Sequence, residues 1–235
     1  MATKTYVVDG LGEINVTKRH SARHLRLSID QKGQVRVSIP EWIPYQTGLE
    51  FAVSRKDWII KKRPEVLLLE PNQQIGRAHH LIFTASDSTL TTPKARIVGN
   101  TISVCYAKSA TFTHPAVQQA ALKASIKALR LQAESLLPRR LKQLSETHGL
   151  AYDSISIKQL SRRWGSCDQQ QRIVLNLYLV QLPWELIDYV VIHELAHTQY
   201  LNHGRLFWEK VESLLPDAKK LKKQLATYHP GIIKL

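Results

Sequence analysis

From His24 to Ile39 apolar and polar positions alternate. Leu25, Leu27 and Ile29 precede a turn at Gly33, and Val35, Val37 and Ile39 follow it, a period of two that predicts a β-hairpin. Between about Gln46 and Lys62 the period lengthens to that of a helix. Leu49, Val53, Ile59 and Ile60 can face a core, Lys61, Lys62 and Arg63 complement the negative end of the helix dipole, and Pro64 stops the run. Short strand-like stretches follow at 80–84, 95–98 and 101–106, the last two joined by Gly99 and Asn100, a tight-turn pair. Residues 1–112 therefore read as a β-rich N-terminal subdomain with one helix.

The pattern then changes. Leu122, Ile126, Leu129, Ala133, Leu137, Leu141 and Leu144 recur at spacings of three and four, which predicts a long helix ending at His148 and Gly149. Pro138, lacking an N–H, is expected to kink or split it. The segments SISIKQLSRRWGSC and RIVLNLYL, separated by DQQQ, predict a hairpin, and Pro183 fits the first turn of a further apolar helix from about Trp184. Residues 113–235 read as a second, mainly helical domain, and the whole chain as α+β.

The length of 235 residues, 43% of them hydrophobic, suffices for one large core or two modest ones. No signal-like start and no apolar run long enough to span a bilayer is present, so the expectation is a soluble, cytoplasmic protein without membrane attachment. Cys105 and Cys167 form neither a disulfide framework nor a CxxC pair, which suits a reducing compartment. The formal charge is +14, with 16 basic and 9 acidic residues in 1–112 and 17 and 10 in 113–235, so the whole body is cationic. Such a field favours polyanionic partners and makes nucleic-acid association a reading to keep, although no nucleic-acid-reading motif accompanies it.

Candidate chemistry concentrates in VVIHELAHTQYLNHG, residues 190–204. His193 and His197 lie four apart, on one face of a helix and one turn from each other, and neutral imidazoles so placed suit zinc. Glu194 follows His193 directly, where a general base acting on a water at the metal belongs. A catalytic zinc usually takes three protein ligands, and His203 is the best third candidate, because Asn202 and Gly204 tolerate left-handed backbone and can turn the chain back. Glu209 or Glu212, on the helix that follows, are the alternatives. Burying three histidines and a carboxylate without partners costs several kcal/mol, and a metal supplies the partner; one zinc per chain is expected. His79 and His80 adjoin in a strand and point to opposite faces, which argues against a joint site. Cys167 reads as a small residue at a strand end.

The run from SRRWGSC through HELAH, NHG and LFWEKV to PDAKKLKKQL resembles the YgjP-like family of metal-dependent hydrolases, relatives of SprT-like and WLM-type zinc peptidases, and the resemblance extends upstream through SARHLRLSIDQKGQVRVSIP and RKDWIIKKRP. It implies a zincin-like metallopeptidase domain, with the HExxH helix against a small antiparallel sheet, preceded by the β-rich portion. It further implies His193, His197 and His203 as zinc ligands and Glu194 as the base. The metzincin pattern is excluded, because Tyr200 stands where its glycine would be and Met1 is the only methionine. Relatives of similar build align an extended substrate on an exposed edge strand, a role the segment 172–180 could serve, with Trp164 and Asn176 lining a cleft.

The favoured function is that of a zinc-dependent hydrolase, a metallopeptidase in which Glu194 activates a water at the zinc. One alternative is nucleoside-triphosphate pyrophosphatase activity on a UTP-like substrate, with Arg162 and Arg163 binding phosphate bidentately. A second is a nucleic-acid- or ribosome-associated zinc protein of SprT-like type. Tyr228, Arg205 and His229 are candidates to stabilise an oxyanion.

Overall fold

A computed structural model describes residues 2–30, 33–62, 68–87 and 90–232; Arg63 and Pro64, expected to close the first helix, lie outside these. The chain divides into two compact units, Met1–Leu68 and Leu69–Leu235. The change of composition near residue 112 thus falls inside the second unit.

In the first unit β1 (Thr3–Val8), β2 (Gly12–Arg19), β3 (Arg26–Ile29) and β4 (Val35–Pro40) form one sheet in the order β1-β2-β4-β3, with β2 parallel to β4 and the other pairs antiparallel. The hairpin of β3 and β4 lies where the alternation places it. Ile14 and Val16 of β2 and Val35, Val37 and Ile39 of β4 turn to one face and are fully buried with Ala52 and Ile59. The single helix expected over 46–62 is two, α1 (Tyr45–Ser54) and α2 (Lys56–Lys62), parted at Arg55. There the Ser54 hydroxyl donates to the Phe51 carbonyl, a local bond that competes with the helical ladder. The break leaves Val53 and Ile60 exposed. Helix α1 approaches the sheet closely at Gly48, where a Cβ would lie 2.7 Å from Val16 Cγ1 and 3.0 Å from Ile39 Cγ2.

The second unit begins with β5 (Gln74–Ile75), β6 (His79–Ser86), β7 (Lys94–Val98) and β8 (Thr101–Ala107), ordered β5-β6-β8-β7. Against them runs α3 (Pro115–His148), 34 residues or about 51 Å long. It starts with Pro115 behind a His114 cap and ends at Gly149 in the left-handed region (φ 62°). It is not split at Pro138, as the sequence allowed, but runs on as one helix. One ladder bond is lost there, while Leu137, Leu141 and Leu144 stay buried on the core side and hold the helix on both sides of the proline. At its centre the Gln132 amide is buried, donating to Ile75 O (3.0 Å) and meeting His79 Nδ1 (2.8 Å), while its oxygen accepts from Arg77 N (2.7 Å). The β5–β6 turn is thereby pinned to the helix.

After α3 come β9 (Ser154–Lys158), β10 (Gly165–Cys167) and β11 (Arg172–Asn176), a 3₁₀ turn at Leu177–Gln181, and the helices α4 (Trp184–Ala196), α5 (Arg205–Leu214) and α6 (Ala218–Leu225). β10 and β11 form the expected hairpin, but β9 pairs parallel to the far side of β11, so the small sheet is mixed, in the order β10-β11-β9. The segment 172–180 is therefore no edge strand: β11 is central, and residues beyond Asn176 turn into the 3₁₀ helix. Helix α4 is the middle of the core, with Leu186, Ile187, Val191, Leu195 and Ala196 fully buried. Arg140 of α3 grips Asp188 of α4 through two bonds of 2.6 Å, fixing one helix against the other. Among the described residues no helix is long and apolar enough to cross a membrane.

Gly48→Val should destabilise the first unit by about 1–3 kcal/mol, because Val16 and Ile39 are branched and cannot yield the space; a lowered midpoint in urea unfolding checks it, and an unchanged midpoint would mean that α1 can lift from the sheet at little cost.

Candidate metal centre

Helix α4 ends at Ala196, and His197 caps it still in helical conformation (φ −66°, ψ −17°). The His193/His197 face is thus presented at the last turn of a rigid, buried helix. The chain then folds through 197–204 into α5. This reversal does not use left-handed backbone at Asn202 or Gly204: neither residue has a positive φ, and Gly204 is extended (φ −74°, ψ −176°). Successive tight-turn bonds achieve it instead, Tyr200 N to Ala196 O (3.0 Å) and Gly204 N to Asn202 O (2.8 Å).

The reversal brings His203 to the helix pair. Its Nε2 stands 3.0 Å from His193 Nε2 and 3.2 Å from His197 Nε2, and the candidate ligand atoms of the three residues all lie within 4.8 Å of one another. Two nitrogens bound to one tetrahedral zinc at 2.0–2.1 Å sit about 3.3 Å apart, so the spacing fits an ion shared by all three. Protons fit less well, since a hydrogen between any two Nε2 atoms leaves the third lone pair facing them. His197 is locked in the matching orientation by its other nitrogen, Nδ1, 2.9 Å from the Tyr200 carbonyl, to which it donates when Nε2 carries the lone pair. Burial drives His193 down to about 3, with the neighbouring His197, His203 and Lys222 adding to the effect, so it is neutral at any ordinary pH. His197 is lowered chiefly by burial as well.

Beneath the three rings lies Phe207 of α5, itself fully buried, with its centroid 4.9, 4.4 and 4.8 Å from those of His193, His197 and His203. Trp208 flanks the cluster from the side, 5.9 Å from His193 and 5.7 Å from His203. Tyr189, one turn before His193 on the same face of α4, packs on its ring at 6.0 Å. In the sequence these three aromatics pass for ordinary packing residues; the Tyr189, His193, His197 spacing of four and the Phe207-Trp208 pair just after His203 were the available signals.

Glu194 is 5% exposed, and burial pushes its carboxyl up to about 8, partly opposed by the Arg163 guanidinium. It fits because of Gly165: a Cβ on that residue would lie 2.7 Å from Glu194 Oε1 and 2.8 Å from its Cγ. The glycine of the WGSC segment thus makes the room for the acid of HELAH. Cys167, two residues on, has its thiol pushed up to about 11 by burial and by the Glu194 and Asp168 charges, which leaves it protonated and unreactive.

The remaining candidates disperse. Asn176 is fully buried, with Nδ2 donating to Leu160 O and Arg163 O (2.8 Å each) and Oδ1 accepting from Tyr178 N (3.2 Å); its amide is engaged in holding the 160–163 segment and is not open to a substrate. Trp164 is half-buried against the core cluster, and its backbone carbonyl pairs with Asn176 N. Arg162 and Arg163 are exposed. Glu209 and Glu212 pair with Arg205 and Lys219 instead of joining the histidines.

A family model described as YgjP-like, metallopeptidase domain, matches residues 23–228. Among solved structures, the crystal structure of the metallopeptidase zymogen of Pyrococcus abyssi abylysin superposes with a TM-score of 0.37 at 22% identity, over 42% of this chain and 100% of that one. No curated protein matches the chain.

The raised Glu194 carboxyl carries a pH signature in chelator-treated protein. The folded state keeps this proton up to about 8, while an unfolded glutamate releases it near 4.5, so stability falls as pH rises through that window. Glu194→Gln removes the effect. Its melting temperature should match the wild type near pH 4.5 and exceed it increasingly towards pH 9; a constant difference across the range would mean that the carboxyl is solvated.

Proposed function

The chain belongs to the YgjP-like family, and from that premise we propose that it is a zinc-dependent metallopeptidase whose reaction centre is formed by His193, Glu194, His197 and His203. The convergence of three imidazole Nε2 atoms beside a buried carboxyl carries this reading. His193, His197 and His203 hold the ion through these nitrogens, and a donor set of imidazoles alone suits zinc better than magnesium or calcium, which take oxygen ligands. Zinc bound there supplies Lewis acidity, polarising a carbonyl and easing the ionisation of water.

Glu194 does the proton work. It takes a proton from the attacking water and delivers it to the leaving nitrogen, and its burial makes it a stronger base than an exposed glutamate. The Arg163 charge favours the ionised form that begins the cycle.

A peptide has a place to lie. Asn176 N donates to Trp164 O and Asp168 N to Arg172 O, so in this antiparallel pair residues 164, 166 and 168 direct their backbone groups to β11. Alternation turns those of Gly165 and Cys167 outward, along the edge of the small sheet. An extended substrate added to β10 would run past Glu194, which touches Gly165. The edge role that the sequence offered to 172–180 belongs, in this reading, to β10.

Protein purified without chelator should carry about one zinc per chain, measured by plasma mass spectrometry. His197→Ala should lose it, and Glu194→Gln should keep it while cleaving unfolded protein or peptides at least ~100-fold more slowly. Zinc-replete wild type that cleaves no peptide but releases pyrophosphate from UTP, with the release lost in Glu194→Gln, would replace the peptidase reading with the phosphoanhydride one. Gly165→Ala provides a separate check: displacing Glu194 should lower kcat about tenfold or more with zinc content unchanged, and full activity in that variant would remove Glu194 from the proton transfer.

A further inference from the structure

Between α5 and α6 lies a cavity of about 480 Å³ that includes Trp208 and Lys222 in its lining. Trp208 belongs to two environments at once. Its ring stands at 28° to that of His203, with centroids 5.7 Å apart, and it also walls the cavity. The cavity therefore adjoins the three-histidine cluster through one indole. Lys222 holds its ammonium 4.0 Å from the Trp208 ring centroid, a cation–π contact. Helix α6 keeps it there by burying Ala218 and Leu221 against the core.

The other charges of the cavity pair off. Arg205 meets Glu209 at 3.6 Å and Lys219 meets Glu212 at 3.0 Å, whereas Lys222 has no ion-pair partner among the described residues. One uncompensated positive charge thus sits on an aromatic wall beside the reaction centre. A lone ammonium is a point charge that suits a single carboxylate; phosphate recognition commonly recruits guanidinium forks or several donors, and the one guanidinium here is already paired.

We propose that this cavity is a substrate subsite selective for a carboxylate, with Lys222 setting the preference and Trp208 forming the wall shared with the histidines. The proposal rests on the peptidase reading. The carboxylate can come from an acidic side chain near the cleaved bond or from the C-terminus of the peptide.

Binding separates these sources and does not depend on turnover. Zinc-loaded Glu194→Gln protein is titrated calorimetrically with acetylated hexapeptides: a neutral, amidated peptide, the same peptide with Glu at successive positions, and the neutral sequence with a free C-terminus. One charged form should bind about fivefold more tightly than the neutral one, the scale of a partly exposed ion pair. A preference for an internal Glu assigns the side chain, and one for the free terminus assigns the terminal carboxylate. Adding Lys222→Met should abolish the preference, and adding Lys222→Glu should transfer it to a Lys-containing peptide. Equal binding of all forms, or a preference that survives Lys222→Met, overturns the proposal. Failure of the wild-type protein to cleave any of these peptides would instead count against the peptidase reading, leaving the binding comparison intact.

Discussion

An imidazole nitrogen of His203 within 3.0 and 3.2 Å of those of His193 and His197 is unstable company for neutral rings, because each brings a lone pair and too few protons lie between them. A shared cation would resolve the conflict, and the surrounding elements keep the rings from parting. Helix α4 is immobilised by burial along its length and by the Arg140 grip on Asp188. His197 is tied to the Tyr200 carbonyl, and Phe207 fills the space beneath all three rings. The three rings are preorganised by packing, so an ion bound among them would not have to order a loop at the same time.

The same requirement explains why the segment after α4 is so compressed. His203 must arrive within six residues of His197, too few for another full helix and turn. The chain ends the helix at Ala196 and reverses through consecutive backbone bonds, then starts α5 at Arg205 without a side-chain cap. Placing α5 immediately afterwards puts Phe207 and Trp208 against the site, so the element that closes the turn also supplies its apolar floor and side wall.

How much of this could be read from the residues alone follows from the range of the interactions. The pairing of His193 and His197 is legible, because two histidines one helical turn apart are a local pattern, and the hairpins at Gly33 and at 99–100 rest on equally local alternation. That Pro138 does not split its helix was hidden for the converse reason: a local cost is outweighed by Leu137, Leu141 and Leu144, whose burial depends on distant partners. The place of β9 was hidden as well, since a parallel neighbour leaves no turn in the sequence to reveal it. Gly165 is the sharpest case. Its need for a missing Cβ arises from Glu194, 29 residues away, and nothing in WGSC announces that contact.

Burial acts on Cys167, Tyr189, His193 and Glu194 alike, yet its consequences differ with where each begins. It carries the Cys167 thiol and the Tyr189 phenol away from neutrality, to about 11 and about 12, and drives the His193 imidazole down to about 3. These groups stay neutral as a result: the thiol is no nucleophile, and the imidazole keeps its lone pair for a metal. The carboxyl starts below neutrality, so the same desolvation moves Glu194 towards it, to about 8. One physical effect thus keeps the thiol, the phenol and the His193 ring neutral while moving the acid towards neutral pH. The exposed Arg163 guanidinium partly opposes that upward shift through its charge.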